Sequence, residues 1–145
     1  MIVDFEDKYY STICQWLIGC NVPEDLIEVL NFDTKVLLYH DNNSVQNLNK
    51  EDFAIGFWTA GKVRHFYNLY HFYILPDYRR IKNVLSLTDS MVQAARDKDC
   101  SILLMHYQTE GEASAFIKSY ARLRKLKITE TLGFMKDISI FQMEV

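Results

Sequence analysis

Along residues 66–95 the hydrophobic pattern changes period. From Phe66 to Leu75 the sequence FYNLYHFYIL is aromatic or apolar at nearly every position, with the length and composition of a buried strand. Pro76-Asp77-Tyr78-Arg79-Arg80 interrupts it. From Ile81 onward Val84, Leu87, Met91 and Ala95, flanked by Leu85 and Val92, recur at three- and four-residue steps. That spacing predicts one face of an amphipathic helix. The segment therefore reads as a strand, a tight basic turn and a helix.

The same reading extends over the rest of the chain. Met1 to Phe5 is a short strand, and Glu6-Asp7 opens a helix that carries Tyr10, Ile13, Trp16 and Leu17 to about Cys20. Asn21-Val22-Pro23-Glu24 has the cap, proline and acid of a second helix start, continued by Leu26, Ile27, Val29 and Leu30. Thr34 to His40 is strand-forming, and a polar loop runs from Asp41 through Ser44 to Glu51-Asp52. Phe53 to Ala60 is the next strand, closed by Gly61-Lys62. These two form an antiparallel hairpin, and the Phe66 strand makes it a three-stranded meander. Ser101 to Tyr107 follows a strand and a crossover helix, so it lies parallel to the Phe66–Leu75 strand. Ala113, Phe116, Ile117, Tyr120 and Leu123 mark a third long helix, expected to continue or kink through the basic residues 123–127 toward Thr131. Ile138, Ile140, Phe141 and Met143 fill a C-terminal β segment. With no repeat and no linker, residues 1–145 read as a single α/β domain.

Composition narrows the function classes. Hydrophobic residues are 49% and aromatics 14%, as in a globular chain with a packed sheet. A net charge of −3 argues against a dedicated nucleic-acid binder. Cys14, Cys20 and Cys100 are an odd set without a CxxC pair, which reads as reduced thiols in a cytoplasmic compartment. The acids Asp4, Glu6 and Asp7 stand where a secretory signal would be positive, and no apolar run approaches the length of a membrane span.

A basic turn leading into a helix is a physically reasonable anion site, because first-turn N–H groups lack helical partners and the helix dipole favours negative charge. Arg79, Arg80 and Lys82 supply the cations. His71 and Tyr73 share one face of the central strand, and His71 titrates nearest neutrality, so it is either the proton acceptor of a reaction or a hydrogen-bonded core residue. His40, His65 and His106 have no metal-ligand spacing. A second basic cluster, Lys118, Arg122, Arg124, Lys125 and Lys127, reads as a solvated helix face or as part of a phosphate-binding patch.

Ile74-Leu75-Pro76-Asp77-Tyr78-Arg79-Arg80, followed by a helix with Leu87 and Ala95, resembles the central segment of the GNAT superfamily, the acetyl-CoA-dependent N-acyltransferases. Ala54-Ile55-Gly56-Phe57 is similar to that family's x-Val/Ile-Gly-Phe strand, and Gly133-Phe134 to the pair that begins its last strand. The element order matches along nearly the whole chain. The resemblance implies a mixed, mostly antiparallel twisted sheet of six or seven strands with helices on both faces. It also implies acetyl-CoA as cofactor, its pantetheine along Ile74 and Leu75 and its pyrophosphate over Arg79, Arg80, Ile81, Lys82, Asn83 and Val84. The implied reaction is acyl transfer to a primary amine, with His71 taking the proton and Tyr73 beside it. In the family's Arg/Gln-x-x-Gly-x-Gly/Ala loop, Lys82 and Val84 replace the glycines. Thr129 stands where the family places a tyrosine acid on the last helix, and the nearest phenol there, Tyr120, is in phase with Phe116 and Leu123 as a core residue.

These departures keep a second expectation open, a non-catalytic GNAT-fold binding or structural module with a protein partner. Tailed phages encode small, glycine-poor proteins of this type, which would place it on a virion or at a host contact. A homodimer through an exposed C-terminal strand is the assembly the pattern suggests.

Overall fold

The computed structural model describes residues 1–19, 33–39, 53–133 and 135–145. Its elements run β1 (Ile2–Asp4), α1 (Tyr10–Gly19), β2 (Asp33–Leu38), β3 (Ala54–Val63), β4 (Phe66–Ile74), α2 (Ile81–Asp97), β5 (Ile102–Gln108), α3 (Glu112–Arg124), β6 (Ile128–Leu132) and β7 (Ile138–Glu144). The predicted helix at 21–30 and the polar loop at 41–52 lie outside the described residues. The strands form one sheet in the order β1-β2-β3-β4-β5-β7-β6. It is mixed and mostly antiparallel. β4 and β5 are parallel, paired from Phe66↔Ile102 to Asn68↔Leu104, as expected for strands joined by a crossover helix. The chain divides into two compact units, residues 1–59 with 71–90 and residues 60–70 with 91–145.

In the first unit the sheet is covered on both faces. Phe57 and Trp58 are consecutive in β3 and fully buried, so they point to opposite sides. The Phe57 ring lies 6.2 Å from Trp16 of α1, while Trp58 donates from Nε1 to Ser90 Oγ of α2 at 2.9 Å. Hence α1 and α2 occupy opposite faces. Tyr9, Ile13, Val36, Leu38, Ala54 and Phe57 form the core under α1. Every residue from Ala54 to Gly61 is buried, which explains why β3 lacks the polar alternation of a half-exposed strand.

In the second unit Leu103↔Met143 and Met105↔Phe141 pair β5 with β7, and all four side chains are fully buried. The helix α3 contributes Ser114, Ile117, Tyr120 and Ala121 to its interior. Lys118 places its ammonium 5.9 Å from the Phe141 ring and 2.9 Å from Glu130. Leu123, expected on the apolar face, is 58% exposed, because the buried stripe is centred on residues 114, 117 and 121 instead.

Four local expectations are corrected. First, α3 ends at Arg124 and does not run on toward Thr131. Lys125 takes the left-handed conformation at φ 56°, its N–H bonds to Arg122 O, and Leu126 N–H bonds to Ala121 O at 2.8 Å. This paired cap stops the helix, and the β-branched Ile128, Thr129 and Thr131 return as β6. Second, β3 continues through Gly61-Lys62, and the turn is Arg64-His65. Third, Gly133 does not begin the last strand. It follows β6 and bonds to Ile138 O at 2.8 Å. Fourth, the C-terminal strand β7 is interior, between β5 and β6, so the sheet edge on that side is β6.

Candidate functional site

The basic turn grows from a close contact between two strands. Gly56 of β3 lies so near β4 that a Cβ there would sit 2.8 Å from the Tyr73 carbonyl oxygen. Beside it, Leu75 N–H donates to Ile55 O at 2.8 Å. Pro76 cannot donate to a ladder, and Pro76–Tyr78 turn over in a single 3₁₀ turn. Arg79 follows at φ −76° and ψ 53°, and Arg80 N–H reaches back to Tyr78 O at 2.8 Å. That is an inverse γ-turn centred on Arg79. Helix α2 then begins, with Val84 N–H bonding to Arg80 O at 3.1 Å.

Side chains fix the turn from within. Asn83 donates from Nδ2 to Tyr78 O at 2.7 Å. Arg79 donates from Nε to Ile74 O at 2.7 Å and holds its guanidinium 5.4 Å from the Tyr73 ring. The carbonyls of Ile74, Leu75, Pro76, Tyr78 and Arg80 therefore all accept bonds inside the segment. Among the described residues the first-turn amides of Ile81, Lys82 and Asn83 make no backbone bond to the preceding turn, as is usual at a helix start. Arg80 and Lys82 are exposed on either side of Ile81, itself 66% exposed. Arg79, Arg80 and Lys82 outnumber the one exposed acid of the turn, Asp77, so the helix start carries net positive charge where the helix dipole also favours an anion.

No residue between Ile74 and Val84 has a positive φ. Lys82 and Val84 sit in ordinary helical backbone, so the missing glycines cause no backbone strain. The pantetheine expectation meets a more crowded strand end: Leu75 N–H is bonded to Ile55 and Ile74 C=O to Arg79.

His71 and Tyr73 lie on the α1 face of β4. Tyr73 packs against the α1 core, 5.7 Å from the Trp16 ring. The His71 ring is 6.4 Å from Phe57, and its Nδ1 is buried without a hydrogen-bond partner among the described residues. Burial holds the imidazole below its usual pKa, which keeps it neutral near pH 7 and able to accept a proton.

Other candidates belong to the second unit. Thr129 is exposed in β6 rather than on a helix. Tyr120 is 2% exposed, 6.0 Å from Phe116, with Arg124 over its ring at 5.8 Å: a core position. Arg122, Arg124, Lys125 and Lys127 belong to the second unit, and Arg79, Arg80 and Lys82 to the first. The second unit also has a cleft of about 490 Å³ lined by Gln108, Thr109, Glu110, Gly111, Leu132 and Asp137, none of them predicted from the sequence. The side-chain bonds of Asn83 and Arg79 were likewise not predicted. The only trace in the sequence is a donor-bearing residue at each end of the basic run. No helix among the described residues is long and apolar enough to cross a membrane.

No family model matches the sequence, and no curated protein is a detectable relative. Solved structures do match in fold. Diaminobutyrate acetyltransferase from Paenibacillus lautus, solved with its substrate and coenzyme A, superposes with a TM-score of 0.73 at 11% identity, over 99% of this chain and 95% of that one. The ribosomal-protein-alanine N-acetyltransferase from Brucella melitensis gives 0.60 at 14% identity, over 100% and 98%. YncA from Salmonella typhimurium, solved with its cofactor acetyl-CoA, gives 0.64 at 10% identity, over 100% and 92%. The chain has the fold of the GNAT acetyltransferases.

Proposed function

We propose that this protein is an acyl-CoA-dependent N-acyltransferase acting on a primary amine. The observation that carries the reading is the turn before α2. The carbonyls of Ile74, Leu75, Pro76, Tyr78 and Arg80 accept bonds within the segment, and the helix-start amides of Ile81 to Asn83 follow the exposed Arg80 and include that of the exposed Lys82. That donor set fits a diphosphate, the anionic part of coenzyme A. Neighbours of the same fold are solved with coenzyme A or acetyl-CoA.

Acetyl-CoA, when bound, supplies the acyl thioester. The chain's own part is to hold the diphosphate on the Ile81–Asn83 amides and to remove the amine proton. His71 is the group for the second task, directly or through a water it orders. Its buried Nδ1 has no partner among the described residues, and its lowered pKa keeps it unprotonated. Tyr73 lies on the same strand face, its ring 5.4 Å from the Arg79 guanidinium. Acyl transfer to the amine is then direct, with no covalent enzyme intermediate. One observation favours the alternative of a non-catalytic module: Ile74 C=O and Leu75 N–H are both already bonded within the protein.

Thermal unfolding with and without acetyl-CoA separates the two. A ligand at a hundred times its dissociation constant adds about 2.7 kcal/mol, roughly 5–10 °C for a domain of this size. A shift of that order, removed by Arg80→Ala combined with Lys82→Ala, supports the acyltransferase. No shift at millimolar acetyl-CoA leaves the binding module.

A further inference from the structure

Arg79 is the cation expected to grip phosphate, yet its Nε is already bonded within the protein, donating to the carbonyl of Ile74 at 2.7 Å. Its guanidinium lies 5.4 Å from the Tyr73 ring, and Tyr73 in turn lies 5.7 Å from Trp16. Trp16, Tyr73 and Arg79 thus form a column from α1 through β4 to the turn. The Arg79 backbone is the centre of the γ-turn that reverses the chain into α2. One residue therefore ties the last carbonyl of β4 to the first turn of the helix, through both its side chain and its main chain.

We propose that Arg79 is a positioning residue and not a phosphate ligand. Its N–H···O=C bond to Ile74 sets the angle at which β4 delivers the Ile81–Asn83 amides, and its positive charge is incidental to that task. This rests on the anion-binding reading of the turn, but the bond itself can be tested without it.

Chemistry supplies a clean pair of substitutions. In glutamine, Nε2 stands at the same bond count from Cα as arginine Nε, so Arg79→Gln keeps a planar N–H donor and removes the charge. Lysine has a methylene at that place and its ammonium one bond further out. Arg79→Lys therefore keeps the charge and loses the donor geometry. A positioning role predicts rescue by glutamine, and a phosphate contact predicts rescue by lysine.

Acetyl-CoA affinity is measured by calorimetric titration at several salt concentrations for the wild type, both Arg79 variants and Arg80→Gln. The expected result is binding by Arg79→Gln within about threefold of wild type, and about tenfold weaker binding by Arg79→Lys. Both should keep the wild-type salt dependence, whereas Arg80→Gln should flatten it, because screened charge–charge contacts carry that dependence. Wild-type affinity in Arg79→Lys, with weak and salt-insensitive binding in Arg79→Gln, overturns the proposal.

If the wild type does not bind acetyl-CoA, the cofactor reading fails and thermal unfolding of the same variants decides the Arg79 bond. A midpoint for Arg79→Lys about 3–5 °C below wild type, restored in Arg79→Gln, sustains it. Equal midpoints for all three proteins refute it.

Discussion

Gly56→Ala is the most direct probe of how the strand end beneath the turn is built. A methyl at residue 56 would meet the Tyr73 carbonyl oxygen at 2.8 Å, Ile74 Cγ1 at 3.0 Å and Ile74 Cα at 3.3 Å. Two of these three atoms are backbone and cannot swing aside as a side-chain tip can. Overpacking of this kind costs about 1–3 kcal/mol. Against it, alanine restricts the unfolded chain and returns about 0.4–1 kcal/mol. The net loss is about 1–2 kcal/mol, or roughly 3–8 °C in melting temperature. Urea unfolding followed by circular dichroism is the assay, with a lowered midpoint at unchanged slope as the expected result. The displacement falls on the Leu75 N–H···O bond to Ile55, so exchange of the Leu75 amide should quicken more than that of Met143 in the second unit. A variant as stable as wild type would refute the close approach. It would also remove the reason for glycine at this position.

The remaining expectations concern single groups. Lys125→Gly should raise stability by about 0.5–1 kcal/mol, seen as a higher urea midpoint, since glycine adopts the φ of 56° that lysine holds at a penalty. The lowered pKa of His71, caused by burial, means the unfolded state binds its proton first. Stability should therefore fall as pH drops below about 6.5 and level off under the folded pKa, and His71→Gln should flatten that part of the profile. If His71 is the base, the acylation rate should hold until pH falls to the lowered folded pKa and decline below it. Glu130 is lowered by its hydrogen bonds to Lys118 and Ser139, so its contribution is present above the ordinary carboxylate range and lost as pH falls through the folded value. Melting curves of Glu130→Gln and wild type should converge there.

Much of the fold was legible because its elements carry strong periods. The ten-residue aromatic run, the proline stop and the three-and-four spacing after Ile81 locate β4 and α2 to within a residue. The end of α3 was not, because the Lys125 cap uses a left-handed lysine where the usual signal is glycine. β6 was hidden for the same reason, its short Ile-Thr-Glu-Thr-Leu run following basic residues that also suit a helix end. At the candidate site, sequence located the charged turn but not its wiring. The carbonyl that receives Arg79 depends on how β4 meets β3 across Gly56, a tertiary fact with no local signature.

That wiring also changes what the missing glycines mean. Glycine is needed in a phosphate-binding loop either to reach a left-handed backbone or to let a phosphate come close. The first need is absent here, because residues 81–84 are helical and none has a positive φ. The second applies where a side chain stands over a free amide. Val84 N–H is committed to Arg80 O, so its amide has no bond to offer a phosphate. Lys82 is exposed and brings a charge of the right sign. The proposed grip therefore lies on Ile81 to Asn83, short of the position where valine would intrude. Lys82→Gly should then weaken acetyl-CoA binding through lost charge, while Val84→Gly should leave affinity within about twofold and destabilise the helix by about 1 kcal/mol. Tighter binding by Val84→Gly, by tenfold or more in a calorimetric titration, would show that the phosphate does approach residue 84 and that the loop has lost affinity by losing its glycine.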